Sequence, residues 1–257
     1  MLWRRTTIAA VLLALVIGGA GAGEPLRTLR RGVLRIGTYF VNPPFEYVAD
    51  NAHIGFEVDL MEEVARRVGL KPAFVNTKWE TILKEMREGR YDCIVGGITI
   101  TPEREDILAW SIPYLTTTLS LVVNGAKTPA IRSLADLKDA LVGVQAATTD
   151  YDAAVVMRKR GEIGGIKVYP FDRIEAAMTD LEAGRITAVM KVAPVAAWLA
   201  AKRPDLRIVA QVPDDPQPLG IGFGKYEPAL MAAVNGALSA TRRDGTMDRL
   251  QSKWGIP

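Results

Sequence analysis

Two hydrophobic periods alternate along this chain, and their alternation predicts an α/β protein. Short apolar runs rich in β-branched residues, such as VLRIGTY at residues 33–39, are typical of buried strands. Between such runs, apolar residues recur every three to four positions, as in EVDLMEEVARRVG at residues 57–69, which indicates an amphipathic helix. The first unit alternates strand and helix over residues 33–39, 57–69, 72–76, 79–89 and 92–97. This order implies parallel strands joined by right-handed crossovers.

The same pattern restarts after residue 118 and predicts a second α/β unit. Strands are expected at residues 119–124, 140–145, 166–170, 186–191 and 206–212. Helices are expected at residues 133–139, 148–161, 172–184 and 193–203, and two more close the chain at 228–242 and 246–254. Capping-box spacing supports two of the helix starts, namely Ser133 with Asp136 and Asp172 with Glu175.

Two α/β units in one chain predict two lobes with a cleft between them. We expect residues 23–115 and 219–257 to form a discontinuous first lobe and residues 119–212 to form the second. The connecting hinge segments are then residues 116–118 and 213–218. Ligands of α/β units bind outside the carboxyl ends of the strands, so the cleft is the expected site.

The N-terminus has the organisation of a secretory signal peptide. Arg4 and Arg5 precede an apolar run at residues 8–17, and small residues follow, with Ala20 and Ala22 at an A-x-A cleavage site. The run is short for a membrane span, which needs ~20 apolar residues. We therefore predict that residues 1–22 are removed and that the mature protein is periplasmic.

Composition weakens most catalytic interpretations. Cys93 is the single cysteine and lies in an apolar stretch, where a small buried hydrophobe is the expected role. His53 is the single histidine, so no metal cluster and no Ser–His or Cys–His pair is expected, and no cofactor is predicted. Arg4 and Arg5 account for two of the 32 basic residues, which leaves 30 against 29 acidic residues in the mature chain. This balance does not indicate nucleic-acid binding.

The stretch GGITITPERED, residues 96–106, is the strongest local signal of a binding site. It follows a predicted strand, and Thr101 is expected to cap a helix with Pro102 at its first position and Arg104 at its third. A basic residue in a first helical turn opposes the helix dipole, so a nearby anion would be favourable. Arg104 and the Thr99 hydroxyl could together hold a carboxylate. The alternative is a surface arginine paired with one of the acidic residues at 103, 105 and 106.

Several motifs together resemble bacterial family 3 solute-binding proteins, the periplasmic receptors of polar amino acid ABC importers. They run in order along residues 29–254 as GVLRIGTYFVNPPFEY, GFEVDLMEEVARRVG, GRYDCIVGGITITPERED, SIPY, VGVQAATT and DGTMDRLQSKWG. The resemblance implies a two-lobed type II periplasmic binding protein fold that closes on a small carboxylate, most simply an amino acid or a similar compound. It also implies an ABC permease with its ATPase as partner, and a monomer.

The resemblance assigns roles to particular positions. Arg104 is similar to the carboxylate-binding arginine of the family, and Thr99 and Gly97 match a hydroxyl residue and a backbone contact beside it. The second lobe would complete the carboxylate pocket with a helix start at Thr148 and Thr149. Further positions are implied as walls over the ligand, although aromatic residues there are also common in protein cores: Asn42, Phe45 and Trp79.

One position departs from the family pattern. The family usually carries an aspartate that holds the α-ammonium of the ligand, and this position falls on Val192 here. Either the ligand lacks that group, or another acid such as Asp150 takes it. Lys191 would then hold a second acidic group of the ligand, unless it is a solvated lysine that faces away.

A second function remains open at the sequence level. Cyclohexadienyl dehydratase is similar in fold and in the SIPY segment, but its catalytic glutamate would fall near Val195, where this chain has no carboxylate. A binding protein that is not an enzyme is therefore the leading prediction, and a dehydratase-like enzyme is the alternative.

Overall fold

The computed structural model describes residues 26–213 and 215–257, so the predicted signal peptide lies outside the described residues. The chain first forms the elements β1 (Val33–Thr38), β2 (Val41–Asn42), β3 (Glu46–Ala49), β4 (Ala52–Ile54), α1 (Phe56–Arg67), β5 (Lys71–Asn76), α2 (Trp79–Arg87), β6 (Cys93–Ile94), α3 (Pro102–Glu105), β7 (Ala109–Trp110) and β8 (Leu115–Thr117).

The second series comprises β9 (Leu119–Asn124), a 3-10 helix (Leu134–Leu137), β10 (Leu141–Gln145), α4 (Thr149–Lys159), β11 (Gly165–Tyr169), a 3-10 helix (Phe171–Arg173), α5 (Ile174–Glu182), β12 (Ala188–Val192), α6 (Ala193–Ala201) and β13 (Leu206–Gln211). The chain then returns through β14 (Gln217–Leu219) and β15 (Gly222–Phe223) and ends with α7 (Pro228–Arg243) and α8 (Thr246–Trp254).

The first lobe is built on a five-stranded sheet in the order β5-β1-β6-β15-β7. β1 pairs in parallel with both β5 and β6, as the strand–helix succession predicts. The apolar face of α1 is buried through Leu60, Met61 and Val64, which explains the spacing of these residues. β15 arrives from the far end of the sequence and pairs antiparallel with β6 and β7, so the first lobe is discontinuous in sequence.

The second lobe is built on a sheet in the order β11-β10-β12-β9-β13. β10 pairs in parallel with β11 and β12, whereas β9 runs antiparallel to β12 and β13. Each strand of the parallel group points its carboxyl end in one direction, and this edge faces the first lobe. This arrangement places the loops after β10, β11 and β12 at the cleft.

Two chain segments connect the lobes side by side. β8 pairs antiparallel with β14, with Leu115 opposite Leu219 and Thr117 opposite Gln217. β8 includes residues 116–117 of the first predicted hinge, and β14 includes residues 217–218 of the second. The paired arrangement lets one lobe move relative to the other with small dihedral changes in two adjacent strands, and we keep the hinge assignment as a proposal.

Some local predictions are confirmed and others are wrong. Ser133 and Asp136 form the predicted capping box, although the element that follows is a short 3-10 helix. The second predicted box does not form, because residues 171–173 make a separate 3-10 turn and α5 begins after Arg173 without a side-chain cap. The sequence interpretation also missed the small antiparallel sheet β2-β3-β4, whose strands have only two to four residues each.

Cys93 is completely buried as a free thiol in the core of the first lobe, as expected for a small hydrophobe. Burial raises the pKa of this thiol well above its ordinary value, so it is not a nucleophile at neutral pH. Among residues 26–213 and 215–257, no helix is long and apolar enough to span a membrane.

Candidate functional site

The candidate site lies where loops from both sheets meet at the carboxyl ends of their parallel strands. Most residues that line a shared cavity follow the ends of β1, β5, β6, β10 and β11 or lie at the end of β12, whereas Asn42 lies in β2 and Arg104 in α3. The lining consists of Tyr39, Asn42, Trp79, Gly96, Gly97, Thr99, Arg104, Thr148, Thr149, Asp150, Phe171, Lys191 and Val192. This placement follows the general rule for ligand sites in α/β folds.

Arg104 reaches the cavity from the short helix α3. Thr101 caps this helix by accepting a hydrogen bond from the Arg104 N–H at 3.4 Å, and Pro102 occupies the first helical position, both as predicted. The guanidinium donates to the Thr99 carbonyl at 2.7 Å and lies 5.1 Å from the centre of the Trp79 ring. Burial lowers its pKa from the ordinary value, although an arginine stays protonated at neutral pH.

The predicted alternative, a surface arginine in an ion pair, does not describe Arg104. Among the described residues, no carboxylate forms an ion pair with its guanidinium, which donates to the Thr99 carbonyl. Asp152, Asp150 and Glu103 attract its charge only from beyond ion-pair distance. Two of the five N–H groups of the guanidinium fork would suit a bidentate carboxylate. Arg104 is therefore a half-buried cation at the cleft without an ion-pair partner among the described residues.

The Gly96–Gly97 loop beside Arg104 is held by side chains beneath it. Tyr39 donates from its hydroxyl to the Gly96 carbonyl, and Asn42 Nδ2 lies 3.4 Å from the same oxygen. A Cβ at Gly96 would collide with the Tyr39 ring, and Gly97 has a φ of 61°, so both positions favour glycine. The Gly97 N–H donates to Glu57 Oε1 at 2.8 Å. The carbonyl of Gly97 is therefore the backbone group of this residue that can contact a ligand.

Two completely buried glutamates support this loop from the core side. Glu57 accepts hydrogen bonds from the Gly97 N–H and from the Tyr114 hydroxyl, and Glu46 lies beside it. Burial raises the pKa of both carboxyl groups, and for Glu46 the neighbouring Glu57 raises it further, well above the usual range. The pair therefore extends the protonated form of Glu46 to higher pH than is usual for a glutamate.

Aromatic side chains from both lobes form one wall of the cavity. Trp79 is the first residue of α2, and its indole N–H donates to the Ala146 carbonyl of the second lobe at 3.2 Å. Phe171 stacks on Trp79 with ring centres 5.1 Å apart, and it makes an edge contact with Tyr39 at 4.9 Å. The wall thus includes the predicted Trp79 together with two aromatic residues, Tyr39 and Phe171, that sequence reasoning did not select.

The N-terminus of α4 faces the cavity from the second lobe. Thr148 caps this helix: its hydroxyl accepts from the Tyr151 N–H at 3.3 Å and donates to the Gln145 carbonyl at 2.7 Å. The hydroxyl of Thr148 is therefore occupied within the protein. The amides of Thr149 and Asp150 have no acceptor among the described residues and remain the polar groups this helix start can offer to an anion.

A buried ion pair closes the opposite side of the cavity. Lys191 Nζ lies 2.8 Å from Asp150 Oδ2, and the two residues are only 4% and 1% exposed. The expectation of a solvated Lys191 that faces away is wrong, because its side chain is buried and reaches Asp150 in the first turn of α4. Val192, the position that departs from the family pattern, lines the cavity with an apolar side chain.

The cavity is small in this arrangement and continues into a wider groove. Its volume is about 20 Å³, whereas the adjoining groove between the lobes has about 1380 Å³. Thr99, Arg104 and Thr149 line both spaces. The Thr99 hydroxyl donates to Gln217 Oε1 at 3.1 Å, which ties the site to the connecting strand β14.

Nine of the ten residues predicted from sequence surround this cavity, and Phe45 does not. Phe45 is completely buried and packs against Phe56 in the core, with its ring behind Gly97. It supports the glycine loop and does not line the cavity. Tyr39 and Phe171 could have been selected, because each directly follows the carboxyl end of a parallel strand or lies one residue beyond it.

The fold agrees with the comparison to known proteins. The chain belongs to the bacterial extracellular solute-binding proteins, family 3, and the match covers residues 34–257. The architecture is that of type II periplasmic binding proteins, with two lobes that each contain a sheet and helices. The resemblance and the fold class expected from the sequence are thereby confirmed.

Individual relatives match nearly the whole chain. The ABC transporter arginine-binding protein 1 of Escherichia coli (strain K12) is 28% identical, with 96% of this chain and 97% of the relative covered. The L-cystine-binding protein TcyJ of the same strain is 29% identical, with 98% and 96% covered. Among solved structures, an ancestral arginine-binding protein bound to arginine has a TM-score of 0.78 and 32% identity, over 87% of this chain and 98% of the other.

Proposed function

We propose that this protein is the substrate-binding component of an ABC importer and that it binds a small carboxylate, an amino acid or a similar compound, in the cleft. The observation that carries the proposal is the guanidinium of Arg104, which has no ion-pair partner among the described residues and lines one cavity with the free amides that begin α4. Such groups from two lobes hold a carboxylate only when the lobes close together.

The names of the relatives support this function. They are binding proteins of ABC transporters for arginine, cystine and other amino acids, and they are similar to this chain over nearly its full length. An ABC permease with its ATPase is accordingly the partner that we propose, with the binding protein acting as a monomer. The dehydratase alternative is less well supported, because Val195, where that enzyme would need a carboxylate, is an apolar residue buried in α6.

Replacement of Arg104 tests the proposal. Arg104→Ala should weaken carboxylate binding by ~2–5 kcal/mol, because the ligand anion loses a charge-assisted bidentate partner. Isothermal titration calorimetry of ligand-stripped protein measures the affinity, and thermal unfolding checks that the fold is kept. Arg87→Ala is the matched control, since Arg87 is an exposed arginine of the same lobe in the last turn of α2. Unchanged affinity in Arg104→Ala would contradict the assignment.

We also propose that the protein acts in the periplasm after removal of residues 1–22. The support is the sequence pattern of the N-terminus together with the extracellular family to which the chain belongs. The intact mass of the exported protein should correspond to a chain that begins at Gly23. A membrane-bound species that keeps its first 22 residues would contradict this proposal.

A further inference from the structure

Three charged side chains of the described residues line the cavity, and their charges do not cancel. Arg104 and Lys191 are cations, and Asp150 is the single anion among the lining residues. Arg104 belongs to the first lobe, whereas Asp150 and Lys191 belong to the second. The side chains that line the cavity therefore have a net charge of +1.

Asp150 and Lys191 compensate each other, which removes Asp150 as a counter-charge for a ligand. Their charged atoms lie 2.8 Å apart, and both side chains are almost completely buried. An incoming ammonium that took over Asp150 would leave the ammonium of Lys191 buried without its partner. An uncompensated buried charge is strongly unfavourable, so Asp150 can accept a ligand N–H only while it keeps Lys191.

Other acidic groups near the cavity do not cancel the excess charge. Asp152 follows on α4 and attracts Arg104, but the two form no ion pair, and the exposed side chain of Asp152 lines the wide groove, where water weakens the attraction. Glu46 and Glu57 lie behind Gly97 and do not line the cavity, and burial raises the pKa of both. The positive charge of Arg104 is thus left for the ligand to neutralise.

We infer that the ligand carries a net charge of −1, rather than the zero charge of a zwitterionic amino acid or the positive charge of arginine. The inference rests on the proposed function and narrows the class of carboxylate. Two kinds of compound share this charge: hydroxy or keto monocarboxylates, and dicarboxylic amino acids, whose ammonium and second carboxylate would approach Asp150 and Lys191 together. This specificity separates the chain from the relatives that are named as arginine-binding proteins.

A panel of probes matched in size tests the inference on the wild-type protein. Calorimetry on ligand-stripped protein would compare L-glutamate with L-glutamine, and 2-hydroxyisocaproate with L-leucine, and it would include L-arginine. In the pair whose members bind, we expect the affinity of the anionic compound to exceed that of the neutral compound by about tenfold or more. The reason is that an additional charge in a closed cleft is poorly screened. The pair that shows this difference distinguishes a dicarboxylic amino acid from a hydroxy acid.

Two variants change the charge balance in a controlled way. Lys191→Met leaves Arg104 and Asp150, so the cavity becomes neutral and the preference should shift by about tenfold toward the neutral member of the pair. The double variant Lys191→Met with Asp150→Asn restores the single positive charge and should restore the anionic preference. Lys71→Met, an exposed lysine at the start of β5, is the control for the net charge of the protein and should leave the preference unchanged.

The outcomes separate this inference from the proposed function. Tightest binding of L-arginine or of a neutral amino acid by the wild type would overturn the charge inference and leave the proposed function standing. No binding of any carboxylate in the panel would contradict the proposed function itself. If Lys191→Met does not fold, the wild-type panel and the double variant, which leaves no unpaired charge at these two positions, still decide the question.

Discussion

At the scale of single residues, the site depends on side chains that hold one another as much as on those that face the ligand. Glu57 accepts a hydrogen bond from the Gly97 N–H, and Tyr39 and Asn42 donate to the carbonyl of Gly96. A loop with two such glycines has many accessible conformations, and these contacts select one. Arg104, the predicted carboxylate-binding residue, thus lies beside a backbone whose geometry is determined before a ligand arrives.

The sequence was sufficient to select Arg104, which lies at a recognisable helix start after a predicted strand and also matches the family pattern. Trp79 was selected from the family resemblance. The sequence was not sufficient to pair Lys191 with Asp150, which are 41 positions apart. No local pattern reports which buried lysine approaches which acid, since only the packing of β12 beneath α4 brings them together. The misassignment of Phe45 has the same origin, because the core and the cavity lie on opposite sides of one glycine loop.

Glu46 gives a prediction about pH. Because its pKa is raised in the folded protein, the native state holds a proton that the unfolded chain has already lost, so stability should fall as pH rises above the ordinary glutamate value. Glu46→Gln removes this titration while it keeps the shape of the side chain. Its melting temperature relative to wild type should therefore be higher at pH 8 than at pH 5.

Thermal unfolding at the two pH values measures this difference directly. Glu62→Gln is the matched control, because Glu62 lies on the exposed face of α1 and loses the same charge. Equal pH dependence in wild type, Glu46→Gln and Glu62→Gln would show that the buried carboxyl does not hold its proton in the folded protein.

At the scale of elements, the long amphipathic helices and the parallel strands follow from hydrophobic periodicity, whereas the short elements do not. β2, β3 and β4 contain too few residues for an alternating pattern, and their pairing depends on turns at residues 43–45 and 50–51. The 3-10 turn at residues 171–173 moves the start of α5 and places Phe171 over the cleft. An interpretation from local caps alone could not detect this shift.

The start of α4 gives a prediction at this scale. Thr148→Ala should destabilise the protein by about 1 kcal/mol, because the helix loses its N-cap. Thr149→Ala is the natural control, since Thr149 occupies the next position but makes no capping bond, and its stability should stay close to wild type. Urea denaturation measures both free energies of unfolding. Equal losses in the two variants would show that the cap contributes nothing specific.

At the scale of the whole molecule, the two lobes contact each other at both ends of the cleft. Trp79 contacts Ala146 and Phe171 at the candidate site, and the ring centres of Tyr47 in β3 and Trp198 in α6 are 5.8 Å apart. The cavity of about 20 Å³ has room for roughly one water molecule, so a carboxylate of amino-acid size requires the lobes to separate for entry. Opening about the β8–β14 pair would provide this access.

Tryptophan fluorescence should report this closure, and Trp79 should be the main reporter. In the present structure its indole is stacked on Phe171 and hydrogen-bonded to Ala146 of the second lobe, and separation of the lobes would expose it to water. Trp79→Phe should therefore remove most of the ligand-induced change in emission. Trp110→Phe is the control, because Trp110 lies in β7 of the first lobe and does not line the cavity, so its variant should keep the change. The full change in Trp79→Phe would mean that another contact, such as Trp198 on Tyr47, reports the motion and that Trp79 does not move between water and the second lobe.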